Sequence, residues 1–133
     1  MQNEFQNTQP ASVCSAPLVA IFGINSDNRI LLSALMDIWK YRSVEAESEQ
    51  ELARIIEAEN PALVLVDLSF SFSEELAAMR RLKRANIHKN IPFIVLSGHV
   101  RPEYFSLAMA MGATDYLIKP LDFERLEDSL KKM

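Results

Sequence analysis

Cysteine and histidine are scarce in this chain of 133 residues, and their scarcity excludes several kinds of disulfide and metal site. One cysteine, Cys14, cannot form an internal disulfide, and it excludes a zinc site built from cysteine ligands. His88 and His99 are too few for a histidine-rich metal centre. The net charge of −4 argues against nucleic-acid or anionic-membrane partners, which would require a basic surface.

The chain also lacks a run of apolar residues long enough to span a membrane. Residues 1–16 are polar, with Glu4 as their only charge, and they contain neither the basic start nor the apolar run of a signal peptide. We therefore expect a cytoplasmic protein with a disordered tail over residues 1–16 and one folded domain over residues 17–133.

Short apolar runs alternate with segments of helical periodicity from Pro17 onward. Three continuous runs are typical of strands buried on both faces: Leu18 to Phe22, Ala62 to Val66 and Pro92 to Leu96. Weaker strands are predicted from Tyr41 to Ala46 and from Tyr116 to Ile118, and a helix follows each strand. This alternation predicts an α/β fold, a doubly wound parallel sheet of five strands with helices on both faces.

The N-caps of three helices and the inward faces of two can be predicted from their side chains. Ser26 or Asp27 is a suitable N-cap for the first helix, Ser48 for the second and Asp122 for the last. At helical spacing, the inward face of the first helix is predicted to comprise Ile30, Leu31, Ala34, Leu35 and Ile38. That of the last helix is predicted to comprise Phe123, Leu126 and Leu130.

Polar side chains follow the predicted strands at their carboxyl ends. Asp67 follows the third strand, Ser97 the fourth and Lys119 the fifth. Ligands of open parallel sheets bind at this edge, so these three side chains are the candidate site. Asp67 and Lys119 are expected to face each other, because a charge beside an apolar strand is costly unless it is paired.

The chain resembles the receiver domain of two-component response regulators over residues 18–132. The matching motifs run from Pro61 to Asp67, from Ile91 to Gly98 and from Gly112 to Pro120, and the last is the most specific. The resemblance implies a flavodoxin-like fold with strand order 2-1-3-4-5. It also implies a signalling protein rather than an enzyme.

The same resemblance assigns roles to the candidate site. Asp67 would accept a phosphoryl group from a histidine kinase or a phosphotransfer protein. Ser97 and Lys119 would contact the phosphoryl oxygens, and Tyr116 would report the state of the site. From the residues alone, Ser97 can instead cap the following turn, Tyr116 can be ordinary packing, and His99 is interpreted as a solvated loop residue.

The sequence departs from the family at the metal site. The family binds Mg²⁺ through the acceptor and an acidic pair after the first strand, and that pair falls here on Gly23 and Ile24, which offer no side-chain ligand. The charges of Asp67 and Lys119 cancel, so the attraction for Mg²⁺ is largely lost. Asp67, Ser69 and Asn25 remain as weak metal candidates, and Mg²⁺ as a doubtful cofactor.

A second departure follows the acceptor. Ser71 and Glu75 stand where the family usually has proline and glycine. The loop from Ser69 to Phe72 therefore has different turn chemistry. The backbone carbonyl of Ser69, a metal ligand in the family, is expected to be displaced.

Two functions stay open. The first is a stand-alone receiver in a phosphorelay, with Asp67 as phosphoacceptor and output through contacts with an unknown downstream protein. The second is a pseudo-receiver, an interaction module that is not phosphorylated because Gly23 and Ile24 replace the magnesium-binding acids. Neither function involves nucleic acid or membrane.

The expected contact surface, also the candidate homodimer surface, combines the fourth helix, the fifth strand and the fifth helix. Its residues run from Arg101 to Met111, from Asp115 to Ile118 and from Asp122 to Lys132. The fourth helix is so apolar that some of its Met and Phe side chains are expected to be exposed. The basic run Arg80 to Arg84 is interpreted as a solvated helix face, with a docking patch as the alternative.

Overall fold

The computed structural model describes residues 16–69 and 72–132. Residues 1–15 of the predicted tail, which include Cys14, lie outside these ranges, so the boundary of the tail stays a prediction. Within the described residues, strands and helices alternate along the chain as follows. They are β1 Leu18–Phe22, α1 Ser26–Ile38, β2 Arg42–Ala46, α2 Glu49–Glu59, β3 Leu63–Asp67, α3 Phe72–Ala85, a 3-10 turn Ile87–Lys89, β4 Phe93–Ser97, α4 Pro102–Ala110, β5 Asp115–Ile118 and α5 Phe123–Lys131.

The five strands form one sheet of order β2-β1-β3-β4-β5, and every pairing is parallel. The predicted fold class and strand order are confirmed. The register aligns Phe22 with Val66, Asp67 with Leu96, and Ser97 with Ile118. The carboxyl ends of β1, β3, β4 and β5 therefore lie at one edge of the sheet, where the candidate site was expected.

Helices cover both faces of the sheet and bury a separate apolar layer on each face. Leu52 of α2, Leu76 of α3 and Ala108 of α4 belong to one layer. Met36 of α1 and Leu126 of α5 belong to the other. The three central strands are buried along their whole length, which explains their continuous apolar runs.

The prediction for α1 was wrong at its start and on its inward face. The N-cap is Asn25, whose side chain accepts a hydrogen bond from the Asn28 N–H at 2.9 Å. Leu35 is buried as predicted, but Ile30, Leu31 and Ile38 are 60%, 48% and 67% exposed. Because α1 is apolar on nearly every side, its periodicity is compatible with more than one inward face.

The caps of α2 and α5 agree with their sequence signals, but one residue of the predicted inward face of α5 does not. Ser48 caps α2 by accepting the Glu51 N–H, and Asp122 caps α5 by accepting the N–H groups of the two residues that follow Phe123. Phe123 itself is exposed, whereas the other two residues of the predicted inward face of α5 are buried. In the described part of the chain, no helix has the length and apolarity needed to cross a membrane.

Candidate functional site

Asp67 ends β3 and is almost completely buried at the carboxyl edge of the sheet. Its Oδ1 lies 2.5 Å from Lys119 Nζ, so the predicted ion pair is present. The same ammonium donates a hydrogen bond of 2.9 Å to the Leu68 carbonyl. Lys119 reaches these partners from the end of β5, one strand beyond β4, and its side chain is partly open to solvent.

Asn28 is a member of the site that the sequence analysis missed. Its Nδ2 donates a hydrogen bond of 3.0 Å to Asp67 Oδ2, so each oxygen of this carboxylate has a protein partner. The Asn25 cap places Asn28 in the first turn of α1, beside the carboxyl end of β1. The sequence signal that could have identified Asn28 is an amide side chain in the first turn of the helix that follows a central strand.

Gly23 follows β1 and lies directly against Asp67. An added Cβ at Gly23 would lie 3.0 Å from Asp67 Cβ and 3.1 Å from its carbonyl oxygen. The Gly23 carbonyl also accepts a hydrogen bond of 2.5 Å from the buried guanidinium of Arg29, which pairs with Glu45 at 3.1 Å. The position of the family's first acid therefore lacks room for a side chain and has a cation next to it.

These residues do not fit a magnesium ion. Ile24, at the second acid position, is exposed and apolar. Asn25 uses its side-chain oxygen as a helix cap, and both oxygens of Asp67 are engaged by Lys119 and Asn28. Over residues 16–69 and 72–132, no cluster of three or more His, Cys, Asp or Glu side chains could hold a metal ion.

Glu75 supplies a second carboxylate near Asp67. It is buried on α3, and its Oε1 accepts a hydrogen bond of 3.1 Å from the Ser69 N–H. Burial raises the pKa of Glu75, and the nearby charge of Asp67 adds to the effect, while Lys119 opposes it. The pocket thus contains two acids and one ammonium. Glu75 in place of the usual glycine was noticed in the sequence, but its role was not.

The hydroxyl of Ser97 is engaged by His99 rather than facing an open pocket. Ser97 Oγ lies 3.0 Å from His99 Nδ1 and accepts the His99 backbone N–H at 3.0 Å. Ser97 therefore caps the turn that follows β4, as one of the two alternatives predicted. Tyr116 is buried, and its hydroxyl donates a hydrogen bond of 2.8 Å to the His99 carbonyl.

His99 is packed among aromatic rings, so its prediction as a solvated loop residue was wrong. Its ring centroid lies 4.8 Å from that of Phe72 and 4.4 Å from that of Tyr104. These contacts join the start of α3 to the start of α4. Through its ring, backbone and carbonyl, His99 connects Ser97, Tyr116 and both helices in one contact network.

An all-parallel sheet of order 2-1-3-4-5 with aspartate, serine and lysine at its carboxyl edge defines a signal-receiving α/β domain. The chain belongs to the family of response regulator receiver domains, whose model matches residues 24–131.

Similarity in sequence and structure to known proteins supports this assignment. The transcriptional regulatory protein ZraR of Salmonella typhimurium is 32% identical over 102 residues, which cover 77% of this chain and 23% of that protein. A response regulator receiver protein from Pseudomonas putida superposes with a TM-score of 0.77 at 26% identity, covering 90% of this chain and 98% of that one. The chemotaxis protein CheY4 of Vibrio cholerae shares the fold, with a TM-score of 0.79, 19% identity and coverage of 89% and 98%.

Proposed function

We propose that this chain is a receiver-type signalling module that acts through protein contacts, and that its Asp67 pocket does not support Mg²⁺-dependent phosphorylation. The observation that carries the proposal is the engagement of both Asp67 oxygens, one by Lys119 and the other by Asn28. Each hydrogen bond occupies a lone pair of the oxygen that accepts it and makes that oxygen a weaker nucleophile, so this resting arrangement opposes the reaction.

Charge in the pocket supports the same conclusion. A phosphoryl group on Asp67 would carry a charge of about −1.5 to −2 where the carboxylate carried −1, so the pocket would become more negative. Among the described residues, Lys119 is the one ammonium paired with Asp67, and Glu75 adds a second carboxylate nearby. With no acidic pair to hold a divalent cation, most of the added charge would remain uncompensated inside the protein.

A phosphorelay receiver with Asp67 as phosphoacceptor is the second candidate. It is favoured by the convergence of Asp67, Ser97 and Lys119 at one sheet edge, as the family's chemistry requires. Under this candidate, Ser97 would leave His99 and contact the phosphoryl group supplied by a histidine kinase or a phosphotransfer protein. The hydrogen bond from Asn28 Nδ2 to Asp67 Oδ2 would also have to break.

Reaction with a small phosphodonor separates the two candidates. Acetyl phosphate is incubated with the protein with and without Mg²⁺, and intact mass is measured, with the Asp67→Asn variant as control. The proposal expects no Mg²⁺-dependent mass increase in the wild type. A Mg²⁺-dependent increase that disappears in Asp67→Asn would establish the phosphorelay candidate instead.

We propose that output leaves through the surface formed by α4, β5 and α5. Exposed apolar side chains from these elements support this role: Phe105, Leu107, Ile118 and Phe123. The expectation of an exposed Phe on α4 is confirmed by Phe105, but the expectation of exposed Met is wrong, because Met109 and Met111 pack partly buried against the core. A downstream protein or a second copy of the chain would cover this surface.

A further inference from the structure

A cavity of about 320 Å³ opens at the amino ends of the strands, away from Asp67. It lies between the end of α3, the start of β4 and the residues that follow α4. Leu82, Ile91 and Phe93 supply part of its apolar lining. Its volume and its mixture of apolar walls with a few polar groups are typical of a site for a small molecule.

Lys83 is the central polar group of this cavity. Its Nζ lies 5.6 Å from the centroid of the Phe93 ring and donates one long hydrogen bond, 3.4 Å, to the Ile91 carbonyl. Burial lowers the pKa of Lys83. An ammonium can donate three hydrogen bonds, so Lys83 retains donors for an acceptor that enters the cavity.

Gly112 makes room for the Lys83 side chain. An added Cβ at Gly112 would lie 3.0 Å from Lys83 Cδ, and the φ of 112° at this position also favours glycine. The stem of Lys83 is therefore held in a defined path, with the ammonium directed along the cavity wall rather than free in solvent.

The charge of the lining has one sign. Arg80 and Arg84 join Lys83 there, and no Asp or Glu of the described part of the chain lines the cavity. Within the described ranges, none of these three cations forms an ion pair within 4.0 Å, whereas the neighbouring Arg81 pairs with Glu49 at 2.6 Å. The helix dipole accounts for basic residues at the end of α3, but it does not explain an apolar cavity beside them.

We propose that this cavity binds a small organic anion, namely a carboxylate or phosphate group attached to an apolar body about the size of one ring. The anionic group accepts hydrogen bonds from Lys83 Nζ and is drawn by the charges of Arg80 and Arg84. The apolar body packs against Leu82 and Phe93. This site is separate from the Asp67 pocket and does not depend on phosphorylation.

Two-dimensional amide NMR of the full chain tests the proposal. The probes are phenylacetate, phenyl phosphate and the neutral analogue phenylacetamide. We expect saturable shifts for at least one anion, concentrated at residues 80–93 and 110–112, and at least about tenfold weaker binding of phenylacetamide, because a charge-assisted hydrogen bond is lost. The anion that binds more tightly identifies the preferred head group.

Variants make the test specific. Lys83→Met should weaken binding of the anion by about tenfold, whereas Lys132→Met, which changes an exposed lysine outside the cavity, should leave it unchanged. The double variant Arg80→Gln with Arg84→Gln keeps the buried stem of Lys83 and should also weaken binding. Absence of saturable shifts, or equal affinity in wild type, Lys83→Met and the double variant, would overturn the proposal.

Discussion

At the scale of single residues, the two partners of the Asp67–Lys119 pair differ in their access to water. The Asp67 side chain is 2% exposed and that of Lys119 is 26% exposed. If the carboxylate is neutralised, the ammonium can still reach solvent. If the ammonium is removed, the carboxylate stays buried with Asn28 as its remaining partner. The pair is therefore more sensitive to loss of the lysine.

Lys119→Met should accordingly destabilise the protein more than Asp67→Asn. Leaving a buried charge without its partner costs about 3–5 kcal/mol, whereas the asparagine of Asp67→Asn still accepts the Asn28 hydrogen bond. Urea unfolding at neutral pH measures both changes in free energy. An Asp67→Asn variant that is less stable than Lys119→Met would contradict this reading.

Glu75 should make stability depend on pH. Its pKa in the folded state is raised above the ordinary value of 4.5, so the folded protein binds this proton more tightly than the unfolded chain. The resulting stabilisation is complete below pH 4.5 and is lost as pH rises through the folded pKa. Glu75→Gln should therefore gain stability relative to wild type at pH 8, and the gain should shrink toward pH 5. A difference in unfolding free energy that is constant across this range would refute the prediction.

Gly23 and Gly98 provide a matched pair for testing the crowding beside Asp67. Gly23→Ala would place a Cβ 3.0 Å from Asp67 Cβ, and overpacking of this kind costs about 1–3 kcal/mol. Gly98→Ala would meet no atom within 4 Å and should be nearly neutral. Thermal melts of the two variants make the comparison. Equal melting temperatures would show that β1 and β3 can separate enough to accept a side chain at Gly23.

At the scale of the element, α1 shows how one cap serves both a helix and a site. Asn25 satisfies a free N–H of the first turn and thereby orients Asn28, whose side chain donates to Asp67. The other surface of α1 is apolar and exposed around Ile30 and Ile38. The helix is thus positioned by its cap and by one buried stripe, Leu32, Leu35 and Met36, while further apolar side chains stay exposed.

Asn25→Ala should cost about 1 kcal/mol, since it removes an N-cap hydrogen bond. Ser26→Ala is the matched control, because Ser26 was a predicted cap but lies inside the helix, and its change should stay within about 0.5 kcal/mol. Denaturant unfolding of both variants checks the assignment. If Ser26→Ala lost more unfolding free energy than Asn25→Ala, the N-cap would be Ser26 instead of Asn25.

At the scale of the whole molecule, the fold separates three surfaces. Asp67 lies at the carboxyl edge of the sheet, Lys83 lines the cavity at the amino edge, and the apolar surface of α4, β5 and α5 lies on one side. Tyr116 connects two of them, because its hydroxyl contacts His99 above the site while its ring contacts Phe105 on α4 at 5.8 Å. A change at the edge can therefore reach the proposed output surface.

Charge reversal on that surface should disrupt its contacts. The pair Arg101→Glu with Glu124→Lys changes exposed residues at the start of α4 and of α5. We expect weaker self-association in size-exclusion measurements, or weaker binding of a captured partner. Changes on α2, Arg54→Glu with Glu57→Lys, should leave both unaffected. The reverse pattern would place the output surface on the other side of the molecule.

Sequence periodicity was sufficient for the fold class because buried parallel strands require continuous apolar runs, and such runs are visible without coordinates. The strand order came from the resemblance of the motifs to receiver domains. Periodicity also identified Asp67, Ser97 and Lys119, since each follows a strand directly and parallel strands end at one edge. The caps at Ser48 and Asp122 could also be predicted from the sequence, because capping depends on neighbouring residues in the chain.

The parts that required the tertiary structure depend on residues distant in the chain. Asn28 and Asp67 are 39 positions apart, and their hydrogen bond follows from the packing of α1 against β1, the strand that pairs with β3. The inward face of α1 was decided by the sheet, because the helix offers apolar side chains in several directions. The crowding at Gly23 and the burial of Glu75 are also products of packing. Local pattern thus specifies the elements and the caps of α2 and α5, whereas the partners of the Asp67 carboxylate are set by how those elements meet in space.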